Sequence, residues 1–141
     1  MRNKAIADAK RVIQIERKAL SSLERRLNGS FSDAVEIISK CKGRVIVTGI
    51  GKSGIIERGD VVICISKSGD TFELIQLLLA INQFGVKVIS IVGDVDSKLK
   101  DLSDVIIDVS IEQEACPYNP APTTSTTAAL VMGDALAIAL L

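Results

Sequence analysis

The run Ser66-Lys67-Ser68-Gly69-Asp70-Thr71 sets three hydroxyls around a glycine, and Thr123-Thr124-Ser125-Thr126-Thr127 forms a second hydroxyl cluster. Hydroxyls between the carboxyl end of a strand and the amino end of a helix suit the binding of an oxyanion. Unpaired backbone N–H groups and the positive end of the helix dipole meet there, and Gly69 lets an anion approach the backbone closely. Ser66, Ser68, Gly69 and Thr71 are therefore candidates for a phosphate cradle. The same residue types also make good turns and caps, so the cradle needs support from elsewhere. Two further groups supply it. Lys52 stands on the glycine-rich turn Gly49-Ile50-Gly51-Lys52-Ser53-Gly54, and Glu114 lies on the run 112–122, which holds all three prolines. A carboxylate beside such a site can move a proton between adjacent carbons of a sugar phosphate.

The elements that must position these groups follow from periodicity. An unbroken apolar run from Val61 to Ile65 reads as a strand buried on both faces. From there Phe72, Leu74, Ile75, Leu78, Leu79 and Ile81 recur at helical spacing to about residue 84, with Asp70 or Thr71 as N-cap. Upstream, residues 4–27 carry a broad apolar stripe and predict a long amphipathic helix ended by Asn28-Gly29, after which Ser32 caps a second helix through Ile38. Strands are expected at 44–48, 86–92 and 105–109, a short helix near 97–102, and a final helix from the Thr123 cluster to Leu141. Strands alternating with helices predict a parallel α/β sheet, and in such sheets ligands bind outside the carboxyl ends of the strands. Each candidate group falls at or near that edge.

The turn 49–54 is a literal G-x-G-x-x-G, but a dinucleotide site needs an acidic residue at the end of the next strand, where this chain has Ser66-Lys67-Ser68. A P-loop fails because its first glycine would fall at Ile46. Only residues 55–59 separate the turn from Asp60, whereas a parallel crossover takes a dozen or more. The expectation is a single domain over 1–141 that lacks a segment near 54–57 and belongs to a longer polypeptide continuing past Leu141, with the first strand parallel to the second.

Composition narrows the partners. The 141 residues carry 17 basic and 17 acidic side chains and 3% aromatics, which argues against nucleic acid and against an anionic membrane surface. Cys41, Cys64 and Cys116 are too few and too scattered for a disulfide framework or a metal cluster, so neither metal nor cofactor is expected and a reducing, cytoplasmic setting is. No stretch suits a membrane span or a signal peptide. There is no histidine, which removes the commonest acid-base group. The leading helix offers more apolar surface than a small domain needs, which predicts self-association.

Four blocks resemble a known family: Val47 to Gly54, Ile65 to Thr71, Glu114-Ala115-Cys116-Pro117, and Ala121 to Ala128 followed by Met132 to Ala137. They look like the sugar isomerase (SIS) domain of bacterial arabinose-5-phosphate isomerases. The resemblance implies a flavodoxin-like three-layer α/β/α sandwich with a five-stranded parallel sheet and a homotetramer. It also implies conversion of ribulose 5-phosphate to arabinose 5-phosphate for the Kdo sugar of lipopolysaccharide. Lys52, Glu114 and Asp70 match positions the family uses in its active site, with Asp70 standing where Glu is common. Ser66, Ser68 and Thr71 match its phosphate loop; Gly51, Ser53, Gly69, Thr123, Ser125 and Thr126 complete the expected substrate site. Family members also carry a His-Pro-x-Glu-x-x-His-Gly-Asp-Leu-Gly motif after the glycine turn, a Ser-His-Pro-Gly-Gly motif after the final helix, and often a pair of CBS domains. This chain has neither histidine motif. The leading expectation is an aldose-ketose isomerase acting through a cis-enediol with Glu114 as base and Glu112 solvated; the alternative is a catalytically silent sugar-phosphate sensor.

Overall fold

The computed structural model describes residues 2–49, 56–118 and 121–141. Two helices lead, α1 (Arg2–Arg26) and α2 (Gly29–Ser39), followed by β1 (Val45–Thr48) and β2 (Val61–Ser66). Then come α3 (Phe72–Asn82), β3 (Lys87–Val92), a 3₁₀ turn (Lys98–Leu102), β4 (Val105–Asp108) and α4 (Thr124–Ala139). Ser32 is not the cap of α2. Asn28 takes that place in extended backbone and accepts a hydrogen bond from the Ser30 N–H at 2.9 Å, because Asn-Gly serves the start of a helix as readily as the end of one.

The strands lie side by side in the order β1-β2-β3-β4, all parallel, with Val45 opposite Val61, Val61 opposite Lys87 and Ile89 opposite Val105. β1 is thus parallel to β2, as the alternation of elements requires, and not its hairpin partner. The described residues contain four strands of the five that the family resemblance implies.

Alternation along β2 and β3 divides the core into two layers. Val61, Ile63, Ile89, Ile91, Val105 and Ile107 pack against α2, α4 and Leu23 of α1, while Val62, Cys64, Val88 and Val92 pack against Leu74, Leu78 and Ile81 of α3 and Leu99 of the 3₁₀ turn. This is the three-layer α/β/α arrangement. Each fully buried Leu or Ile contributes about 1.5–3 kcal/mol. β1 departs from the pattern: Val45 and Val47 are 44% and 62% exposed, although their register partners Val61 and Ile63 are buried. At the amino edge of the sheet, Asp60 accepts hydrogen bonds from the Arg44 and Glu57 N–H groups and from the Arg44 guanidinium. Arg44 and those N–H groups hold the Asp60 carboxyl down to about 2 and clamp β1 to β2 at the end opposite the hydroxyl clusters. No helix among the described residues is long and apolar enough to cross a membrane.

Candidate functional site

β2 ends at Ser66 and α3 begins at Phe72, so the loop between them lies at the carboxyl edge of the sheet. Thr71 is the N-cap residue, but its side chain does not cap the helix. Its Oγ1 lies 3.3 Å from Ser66 Oγ, which also accepts from the Gly69 N–H at 3.0 Å; Ser68 Oγ accepts from the Asp70 N–H at 3.2 Å. Gly69 adopts φ 67°, and a Cβ there would fall 1.9 Å from Ser97 Oγ. On the facing loop, a Cβ on Gly93 would fall 2.5 Å from the Lys67 carbonyl oxygen. Two glycines therefore let the loop press onto the end of β3. A cleft of about 460 Å³ opens over it, lined by Ile65, Ser66, Lys67, Ser68 and Thr71.

A second cleft of about 210 Å³ shares Ile65, Ser66 and Lys67 with the first and reaches Pro122, Ser125 and Thr126 at the start of α4. The fold thus brings both hydroxyl clusters to two adjoining clefts. Glu114 lies beside them with its side chain only 1% exposed. Its Oε1 accepts from Lys67 Nζ at 2.7 Å and from Ser125 Oγ at 2.5 Å. Its Oε2 accepts from the Thr123 N–H at 3.0 Å, the Ser125 N–H at 3.2 Å and Thr123 Oγ1 at 3.3 Å. Burial alone would raise this carboxyl, but Lys67, the Ser125 hydroxyl and the Thr123 and Ser125 N–H groups outweigh it and hold Glu114 at about 2. The arrangement is a carboxylate filling the amino end of α4, where the helix dipole favours negative charge.

The other expected residues fall as follows. The Asp70 carboxylate is exposed and accepts from the Lys98 N–H at 3.2 Å, bracing the loop against the 3₁₀ turn. Thr126 Oγ1 donates to the Thr123 carbonyl at 2.8 Å. Gly51, Lys52 and Ser53 lie outside the described residues. Glu112 is exposed as expected, and it forms an ion pair with Lys18 of α1 at 2.6 Å. Arg11 and Arg26 of the same helix donate to the Ala115 and Ser110 carbonyls at 3.0 and 2.6 Å, so α1 fixes the segment that presents Glu114.

Two residues near the site were not singled out from the sequence. Lys67 sits within the hydroxyl run, but its partner Glu114 is 47 positions away, and nothing local announces the pair. Ser97 is buried beside Gly69 with no hydrogen-bond partner for its hydroxyl among the described residues; only its position at the start of a predicted short helix marked it.

Parallel strands covered on both faces, with polar groups gathered where the strands end, define an open α/β domain of the kind that holds small ligands at its sheet edge. The chain belongs to the SIS domain family, whose profile matches residues 54–139. It is 40% identical to an arabinose 5-phosphate isomerase, KdsD, of Pseudomonas aeruginosa over 96% of this chain and 51% of that one. It is 39% identical to the KdsD of Escherichia coli K12 over 94% of this chain and 50% of that one. A solved structure from E. coli CFT073 in complex with A5P superimposes with a TM-score of 0.90 at 27% identity, covering 99% of this chain and 91% of that chain. The chain spans about half the length of the curated relatives it matches. The Pseudomonas alignment runs over 167 residues while taking in 96% of a chain of 141, so that relative carries a stretch with no counterpart here.

Proposed function

We propose that this chain is the phosphosugar-binding domain of an aldose-ketose isomerase that interconverts ribulose 5-phosphate and arabinose 5-phosphate, on the route to the Kdo sugar of lipopolysaccharide. The observation that carries the reading is Glu114, an ionised carboxylate buried beside a hydroxyl-lined recess at the carboxyl edge of the sheet. Ser66, Ser68, Gly69 and Thr71 hold the phosphate; Ser125 and Thr126 line the sugar side with Thr123 beside them, and the family resemblance adds Gly51 and Ser53 to the substrate site. Glu114 takes the proton from the hydroxyl-bearing carbon next to the carbonyl and returns it to the former carbonyl carbon, while a proton passes from the neighbouring hydroxyl to the carbonyl oxygen through the cis-enediol. Lys52 and Asp70 assist in roles carried over from the family. No cofactor is required, because the hydrogen moves as a proton within one substrate. The names of the KdsD relatives and the A5P complex of the E. coli neighbour support this reading.

The whole protein is proposed to be a cytoplasmic homotetramer. Its further segments lie in the β1–β2 crossover and beyond Leu141. The relative's extra aligned stretch and the exposed face of β1 support the crossover segment.

One observation favours the sensor reading: a carboxyl held at about 2 is a weak base. A coupled assay of ribulose 5-phosphate isomerisation separates the two. Glu114→Gln is expected to abolish turnover while sugar-phosphate binding survives. Unchanged turnover would remove Glu114 from the reaction, and binding without turnover in the unsubstituted protein would favour the sensor.

A further inference from the structure

Lys67 belongs at once to the phosphate loop and to the Glu114 site. Its carbonyl is pressed against Gly93, the residue lines both clefts, and its ammonium lies 2.7 Å from Glu114 Oε1. The two partners of this ion pair differ in freedom. Glu114 is 1% exposed and gripped by two donors each from Thr123 and Ser125, whereas the Lys67 side chain is 53% exposed on a flexible four-carbon stem. The backbone of Lys67 is fixed, but its charge can move.

We propose that Lys67 is a positioning residue that couples phosphate capture to base activation: its ammonium rests on Glu114 in the free protein and transfers to the phosphate of a bound sugar phosphate. The inference rests on the isomerase reading above. A phosphate monoester carries close to two negative charges and three strong acceptor oxygens, against one charge on the carboxylate. Seated on the 66–71 loop, it stands within reach of the residue that is part of that loop. Once Lys67 has moved, Glu114 keeps its neutral donors from Thr123 and Ser125 and loses its cationic partner. Among the described residues, the charged groups facing it from the packed elements are Lys67 of the β2–α3 loop and, one residue along, Arg11 of α1 on the Ala115 carbonyl. Removing an opposite charge makes a carboxylate more basic. A sugar without phosphate would leave Lys67 on Glu114, so discrimination would extend past binding into the proton transfer itself.

The test uses the full chain with glutamate carboxyl carbons labelled with 13C, following the Glu114 signal against pH by NMR. In the free protein it is expected to remain a carboxylate throughout the folded range. Saturating arabinose 5-phosphate should raise its midpoint by roughly one to three pH units, and arabinose should not. Lys67→Met should raise the midpoint without ligand and abolish any further rise on adding it, and Lys67→Arg should restore the low value. Arabinose 5-phosphate that binds by calorimetry yet leaves Glu114 unmoved would overturn the coupling and leave the isomerase reading standing. A complete failure of arabinose 5-phosphate to bind would overturn both. The unsubstituted protein decides the matter even if Lys67→Met does not fold.

Discussion

Two helices open at the carboxyl edge of the same sheet, and their amino ends are filled in opposite ways. At α4 the chain supplies its own anion, the Glu114 carboxylate, which takes the N–H groups of Thr123 and Ser125. At α3 it supplies neutral hydroxyls, which bond to one another and to the loop and leave an open cleft above. Both ends carry the same partial positive charge. The difference is therefore that one seat is taken by a group of the protein and the other is left open. Lys67 stands between the two.

The strongest way to break this contrast is to empty the α4 seat. Glu114→Ala strands the buried donors that the carboxylate satisfied and is expected to lower stability by roughly 3–5 kcal/mol, read by urea denaturation. The pH dependence carries the same signature. A carboxyl held at about 2, against an ordinary value of 4.5, contributes stability that is fully present above about 4.5 and is lost as pH falls toward 2. Glu114→Gln should flatten that acid slope.

A smaller effect is expected at the open seat. Ser68→Ala removes one hydroxyl from the cleft and should weaken arabinose 5-phosphate binding about ten- to a hundredfold by calorimetry while leaving the melting temperature close to that of the unsubstituted protein. The least effect belongs to Glu112→Gln. That carboxylate is exposed and paired with the exposed Lys18, so stability and sugar-phosphate binding should both match the unsubstituted protein within error. A Glu112 variant behaving like a Glu114 variant would erase the distinction between the two acids.

How much of this was legible beforehand depended on the range of the interaction. The strand Val61–Ser66 and the helix after it are written in contiguous residues, an apolar run followed by 3.6-residue spacing, and both were readable to within a few positions. The hydroxyl loop was readable for the same reason. The link from Lys67 to Glu114 was not, because it spans 47 positions and depends on how the proline-bearing segment returns across the edge of the sheet. Asn28 was misread because its dipeptide is symmetric in meaning: only the actual path of the chain decides whether it closes α1 or opens α2. The exposure of Val45 and Val47 was unreadable too, since an apolar strand looks the same whether or not a neighbour covers it.

The two faces of the sheet also differ in when they can be covered during synthesis. α3 and the 3₁₀ turn connect adjacent strands, so one layer can close from local contacts alone. The opposite layer has α2 and Leu23 of α1 from the start but is completed only by Ala128, Met132 and Leu136 of α4, which follow the last strand. Until α4 docks, Ile63, Ile89, Ile91 and Ile107 have Ala34 and Ile38 of α2 and Leu23 of α1 against them, without the α4 side chains. A chain stopped before α4 would therefore carry a sheet closed on one side and half covered on the other.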